Sequence, residues 1–543
     1  MKASELFVKC LENEGVEYIF GIPGEENLDI MDSLLSSHIK FIQTRHEQGA
    51  AFMADVYGRL SGRAGVCLAT LGPGALNLMT AVADAQLDNA PLVAITGQSP
   101  LNLMHKESHQ YVDIVEMFRR ITKWNTQIKS ETTISEAVRK AFKVAQTEKP
   151  GSTHLELPED LASAQVEDVP LKWQQPIPTE PNKEQVKRAA ETISNAEYPI
   201  ILAGNGVIRS GSTNALLDFA TKLNISVTET FMAKGSIPND NPLSLFTIGL
   251  KTKDYISCAM DHADVIIAVG YDMVEYSPIQ WNEKRDKKIV HIHFSPAEVD
   301  SAYPVEVGVL GHIAFSLNAI AEIAKPSKLP VPNPHREVML NEIHEYDNDD
   351  GFPIKPQKIL SDVRKSLRAE DILLSDVGAH KMWIARMYPC YVPNTTIISN
   401  GLASMGIALP GAIAAKLLYP EKNVIAISGD GGFMMNSQEI ETAMRIGTPF
   451  VNLIFNDSKY GLIKWKQDAQ FGRESHIDFS NPDFVQYAES FGAKAYRVGA
   501  ADELLPILEE ALRQDVVSVV DCPVDYRENI KLTEELGELT CPL

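Results

Sequence analysis

Two carboxylates at the ends of apolar runs are the residues best placed to do chemistry. Asn423-Val-Ile-Ala-Ile-Ser-Gly-Asp-Gly-Gly432 is a β-branched, apolar stretch that ends on Asp430, and Phe450-Val-Asn-Leu-Ile-Phe-Asn-Asp457 repeats the pattern 27 positions later. Met434 to Ile446 has helical spacing without Gly or Pro, so the unit reads as strand–helix–strand with parallel, neighbouring strands. Both aspartates then stand at carboxyl ends of strands, the edge where open α/β sheets bind ligands. Paired carboxylates beside glycine amides at a helix start suit a divalent cation carrying a phosphorylated ligand. Gly-Asp-Gly alone reads equally well as a tight turn with a solvated aspartate; the second acid weighs against that.

The N-terminal part holds comparable turns. Ile39–Thr44 delivers Arg45-His46-Glu47 to the start of a helix over Gln48–Leu60. A glutamate there is also ordinary for dipole reasons. Thr70-Leu-Gly-Pro-Gly-Ala-Leu-Asn77 follows the next strand and opens another helix, and Phe20-Gly-Ile-Pro-Gly24 is a further glycine turn. Gly72 and Gly74 allow close approach of backbone to a ligand, and Asn77 can both donate and accept.

The elements that must position these residues follow from the whole chain. At 543 residues it exceeds one core and predicts three or four domains. The net charge of −22 excludes a nucleic-acid or anionic-membrane surface. The chain has no apolar run long enough for a membrane helix, and the N-terminus reads as an amphipathic helix rather than a signal peptide. Six scattered cysteines without a C-x-x-C pair predict free thiols and a cytoplasmic location. Proline clusters at Pro170, Pro176, Pro178, Pro181 and at Pro326, Pro330, Pro332, Pro334 mark linkers. They divide the chain into 1–165, 185–325 and 355–543. Each block alternates short apolar runs with helical patterns, which predicts three α/β domains with mostly parallel sheets.

With these motifs in order, the chain resembles the thiamine-diphosphate-dependent enzymes of the acetolactate synthase/pyruvate decarboxylase superfamily over essentially its full length. Gly21-Ile-Pro-Gly24, Arg45-His-Glu47, Gly72-Pro-Gly74 with Asn77, Asp376-Val-Gly378, Met405-Gly406 and Gly429-Asp-Gly431 carry the resemblance. It implies the thiamine-diphosphate-binding fold, with a pyrimidine-binding, a central and a diphosphate-binding domain. Active sites would lie between the first domain of one subunit and the third of another, in a homodimer or homotetramer. Glu47 would contact N1′ of the aminopyrimidine, and Gly24, Pro73 and Asn77 would line that half. Gly378, His380, Gly431, Gly432, Tyr460 and Gly461 would hold the diphosphate. Asp430, Asp457 and the carbonyl of Lys459 would bind Mg²⁺, and Met405 would fold the coenzyme. Many relatives have Asn-Asn where this chain has Asn456-Asp457, and some carry glutamine at Ala379.

The resemblance narrows to catabolic acetolactate synthases, which bind no flavin. Val269-Gly-Tyr-Asp-Met-Val-Glu-Tyr-Ser-Pro-Ile-Gln-Trp-Asn282, Ile398-Ser-Asn-Gly401 and Pro523-Val-Asp-Tyr526 carry it. FAD is therefore expected to be absent, although Gly204-Asn-Gly206 suits either a nucleotide or a plain turn. By the same resemblance, Gln110 and Lys123 would hold the substrate carboxylate, and Leu462 and Ile463 would line its methyl pocket. Biosynthetic relatives place a tryptophan where this chain has Lys466, with Trp465 one residue early, which favours pyruvate as both donor and acceptor. The implied reaction decarboxylates one pyruvate and transfers its two-carbon unit to another, giving 2-acetolactate. The alternatives are a simple 2-oxo acid decarboxylase, a flavin-dependent pyruvate oxidase, or a non-catalytic protein keeping the fold.

Overall fold

The computed structural model describes residues 1–174, 177–250 and 254–532. The linker residue Pro176 and Cys541 lie outside them. Three six-stranded sheets follow one another along the chain, and every strand pair within them is parallel. The first is built from β1 (Tyr18–Gly21), β2 (Lys40–Gln43), β3 (Gly65–Ala69), β4 (Leu92–Gln98), β5 (Trp124–Gln127) and β6 (Ser152–Pro158), in the order β2-β1-β3-β4-β6-β5. The second contains β7 (Pro199–Ala203), β8 (Val227–Glu229), β9 (Ser244–Thr247), β10 (Val265–Val269), β11 (Lys288–His293) and β12 (Val305–Leu310), ordered β12-β11-β10-β7-β8-β9. The third contains β13 (Ile372–Ser375), β14 (Thr396–Ile398), β15 (Val424–Gly429), β16 (Val451–Asn456), β17 (Lys494–Arg497) and β18 (Ser518–Pro523), ordered β14-β13-β15-β16-β18-β17.

The first and third sheets share one topology. In each, the winding reverses between the first and third strands, and ligands favour such a switch point at the carboxyl ends. The turns after β1 and β3 are the Gly24 and Gly72–Gly74 turns; those after β13 and β15 begin at Asp376 and Asp430. The middle sheet has the order of dinucleotide-binding folds, with Gly204-Asn-Gly206 directly after its first strand.

The strands read as continuous apolar runs because helices cover both faces. β3, β4, β7 and β10 are buried along their whole length. One apolar cluster joins the helices Glu47–Ser61 and Ala408–Leu418, so the first and third blocks pack together within one chain. Among the described residues, no helix is long and apolar enough to cross a membrane. Cys10, Cys67, Cys390 and Cys522 are buried free thiols, but Cys258 is disulfide-bonded. That departs from the expectation of free thiols throughout.

Candidate active site

Register places the two aspartates together. β15 and β16 pair in parallel with Gly429 opposite Phe455, so Asp430 and Asp457 both leave the carboxyl edge of neighbouring strands. Asp430 is buried and fixed: its Oδ2 accepts from Ser458 N at 2.7 Å and Asn481 Nδ2 at 2.8 Å, its Oδ1 from Gly431 N at 2.9 Å. Burial, then the Asp430 charge, raise the Asp457 carboxyl to about 7. A like-charged, part-buried pair of hard oxygens is what a divalent cation relieves. Among the described residues no cluster of three or more His, Cys, Asp or Glu side chains is assembled as a metal cage. A cation here would take its remaining ligands from backbone carbonyls, water or phosphate oxygens. The Lys459 side chain points away to Glu474 and Asp478 (2.9 and 2.8 Å), leaving its carbonyl, which accepts from Gly461 N at 2.9 Å.

Glycines surround this pair where side chains would not fit. A Cβ on Gly431 would lie 2.9 Å from the Tyr460 ring, one on Gly432 3.0 Å from Asp376, one on Gly461 2.9 Å from Asp457, and one on Gly378 2.7 Å from the His380 ring. His380 is buried, and burial lowers its pKa to about 4, so the ring is neutral. Its Nε2 is buried without a hydrogen-bond partner, an unmet polar group of the kind a phosphate oxygen satisfies. These residues fit the diphosphate and metal of thiamine diphosphate. Met405 is half-buried beside Gly406, whose amide donates to the Asp376 carboxyl at 2.8 and 3.1 Å.

The first-block residues form a second cluster. Glu47 opens its helix, and Asn77 Nδ2 donates to Glu47 Oε2 at 3.0 Å; a Cβ on Gly74 would sit 3.4 Å from Glu47 Oε1. Gly24 packs on Thr70, with no room for a Cβ, and Pro73 is the first residue of its helix, after the N-cap Gly72. Gln110 lies against Gly72, with its carbonyl 2.6 Å from where a Cβ there would be. The helix start is fixed from the third block: the buried Glu439 carboxyl accepts from Arg45 N at 3.1 Å and His46 N at 2.9 Å.

One expectation needs correction. Lys123 precedes β5, at the amino edge of the first sheet, opposite the binding turns. Its ammonium donates to the carbonyls of Val144, Thr147 and Lys149 at 2.6, 2.7 and 2.5 Å, closing the end of the helix Ile134–Gln146. It therefore serves the fold and does not face the site. Ile463, next to Leu462 on the same helix, is 46 % exposed in the single chain.

The chain matches the thiamine pyrophosphate enzyme domains in their order: the N-terminal TPP binding domain at residues 1–117, the central domain at 186–320 and the C-terminal TPP binding domain at 376–522. It is 37% identical to a protein of Methanocaldococcus jannaschii named "Probable acetolactate synthase large subunit", covering 99% of this chain and 95% of that one. It is 33% identical to the acetolactate synthase of Bacillus subtilis, covering 99% and 96%. It is also 33% identical to the catabolic acetolactate synthase of Raoultella terrigena, covering 98% and 97%. The chain belongs to the thiamine-diphosphate-dependent acetolactate synthase family. Its fold is that family's three parallel α/β domains.

Within this family member, the nucleotide-type turn of the middle sheet is already filled. The Glu275 carboxyl accepts from Asn205 N with both oxygens (3.1 and 3.0 Å) and from Asp272 N at 3.0 Å, and is bonded by the Thr230 hydroxyl. A protein carboxyl thus already takes the Asn205 amide of this turn. Asn481 and Glu439 fix Asp430 and the approach to Glu47, and the sequence pattern does not single them out. Both lie in ordinary polar stretches, so no local signal marks them.

Proposed function

We propose that this chain is a flavin-independent acetolactate synthase that uses thiamine diphosphate and Mg²⁺ and takes pyruvate as both donor and acceptor. The observation that carries this reading is the Asp430–Asp457 edge with its glycine cradle, in a chain that aligns end to end with acetolactate synthases. When bound, thiamine diphosphate supplies the electron sink for loss of CO₂ and the carbon that carries the two-carbon unit. Asp430, Asp457 and the Lys459 carbonyl hold Mg²⁺, and Gly378, His380, Gly431, Gly432, Tyr460 and Gly461 hold the diphosphate. Glu47 bonds the aminopyrimidine through a charge-assisted hydrogen bond, with Gly24, Pro73, Asn77 and Gln110 around it. Met405 and Leu462 keep water from the reacting carbon, so that the acceptor carbonyl and not a proton is met first.

The two halves of this site come from different subunits in our reading. The cavity of about 550 Å³ that includes Gly378 and Leu462 is lined only by residues of the second and third blocks. Leu76, Met434, Met435, Tyr460 and Ile463, all beside the two half-sites in sequence, are between 38 and 46 % exposed. A second copy of the chain would cover that apolar rim and bring its own Glu47 to the cradle, which makes a dimer the minimum assembly. Glu275 in the nucleotide turn supports the absence of FAD, and the net charge supports a cytoplasmic enzyme without nucleic-acid or membrane partners. The domain limits we assign remain 1–165, 185–325 and 355–543.

The test is incubation of the purified protein with pyruvate, thiamine diphosphate and Mg²⁺, without FAD. Acetolactate with CO₂ is the expected product, from two pyruvate anions and one proton; acetaldehyde or acetate alone would refute the assignment.

A further inference from the structure

One face of the helix Gly461–Phe471 forms a wall of the cavity beside Gly378. Leu462, Trp465, Lys466 and Ala469 stand three and four residues apart on it. Lys381 lines the same cavity and is 7 % exposed; its ammonium donates to the Ser399 carbonyl at 3.1 Å and to Asn400 Oδ1 at 2.8 Å. Neither ammonium has an ion-pair partner among the described residues. Burial, and then the nearby Lys466 charge, lower Lys381 to about 8, against the pull of Asp88 and Asp84. Glu275, the acid on the cavity wall, is already held by Asn205, Asp272 and Thr230. The cavity therefore presents two ammonium groups with no acid in ion-pair contact, in a chain of net charge −22. Such a recess draws an anion.

We propose that Lys466, backed by Lys381, binds the carboxylate of the acceptor 2-oxo acid, with Leu462 and Trp465 flanking its alkyl end. This rests on the acetolactate synthase reading and gives the carboxylate-binding role to Lys466 in place of Lys123. A two-carbon unit that meets no bound acceptor takes a proton and leaves as acetaldehyde, so that one pyruvate anion and one proton give acetaldehyde and CO₂. Acceptor binding thus sets the ratio of the two products.

Lys466 is exposed on a helix with no buried residue, so substitution there does not threaten the fold. In Lys466→Gln the pyruvate concentration for half-maximal acetolactate formation should rise about tenfold, and acetaldehyde should gain at acetolactate's expense. Lys466→Arg should restore both. A second measurement needs no turnover: pyruvate added to the coenzyme-free protein should change Trp465 fluorescence, with a weaker midpoint in Lys466→Gln and no competition from inorganic phosphate. An unchanged half-saturation and product ratio in Lys466→Gln overturns the proposal, as does competition by phosphate. A wild type that forms no acetolactate overturns the activity reading instead, and the fluorescence titration then still decides whether pyruvate binds at Lys466.

Discussion

Asn481 binds nothing in the chemistry we propose, yet it holds both Asp430 Oδ2 and Asn456 Oδ1, at 2.8 and 3.1 Å, beside the metal-binding edge. Groups that orient a ligating carboxylate matter nearly as much as the ligand itself, so Asn481→Ala should weaken Mg²⁺-dependent coenzyme binding by about 10–100-fold. Titration of Mg²⁺ against coenzyme binding checks this, and an unchanged midpoint would show that Asp430 is held well enough by Ser458 and Gly431. Legibility at this scale was uneven for a physical reason. Asp430 and Asp457 could be found because strand chemistry fixes where each run ends. Lys123 could not be judged, because its partners are helix-end carbonyls more than twenty residues downstream. Carbonyls are present at every residue and leave no trace in side-chain pattern.

At the scale of elements, the parallel neighbours β15 and β16 were legible because β-branched runs alternating with helices admit few arrangements. The filling of the Gly204-Asn-Gly206 turn was not, since it depends on a loop more than sixty residues away folding Glu275 back onto Asn205. The outer strands of the first sheet carry another buried acid. Glu156 on β6 accepts from Gln98 Nε2 at 3.0 Å and Gln127 Nε2 at 2.6 Å, and burial raises it from 4.5 to about 7. A carboxyl that holds its proton more tightly when folded contributes stability that is lost as pH rises from about 4.5 through about 7. Between pH 5 and pH 8 the wild type should therefore lose about 1–3 kcal/mol relative to Glu156→Gln. Thermal midpoints of both proteins across that range measure it; parallel curves would mean that Glu156 is charged throughout.

At the scale of the whole molecule, the first and third blocks each carry one half of the proposed site. The first and third sheets have equal topology, and in each a glycine turn follows a strand at the switch point. Glu439 ties the Arg45–His46 approach to Glu47 onto the third block of its own chain. The proposed site needs Glu47 from one protomer and Asp430 with Asp457 from its partner. Co-expression of Glu47→Gln with Asp430→Asn chains tests that need directly. Each variant alone should be inactive, while mixed dimers carry one site with both substitutions and one with neither. Random pairing should then restore about a quarter of wild-type acetolactate formation. Mixtures as inactive as their parents would contradict the shared site and place Glu47 and Asp430 at the same coenzyme within a single chain.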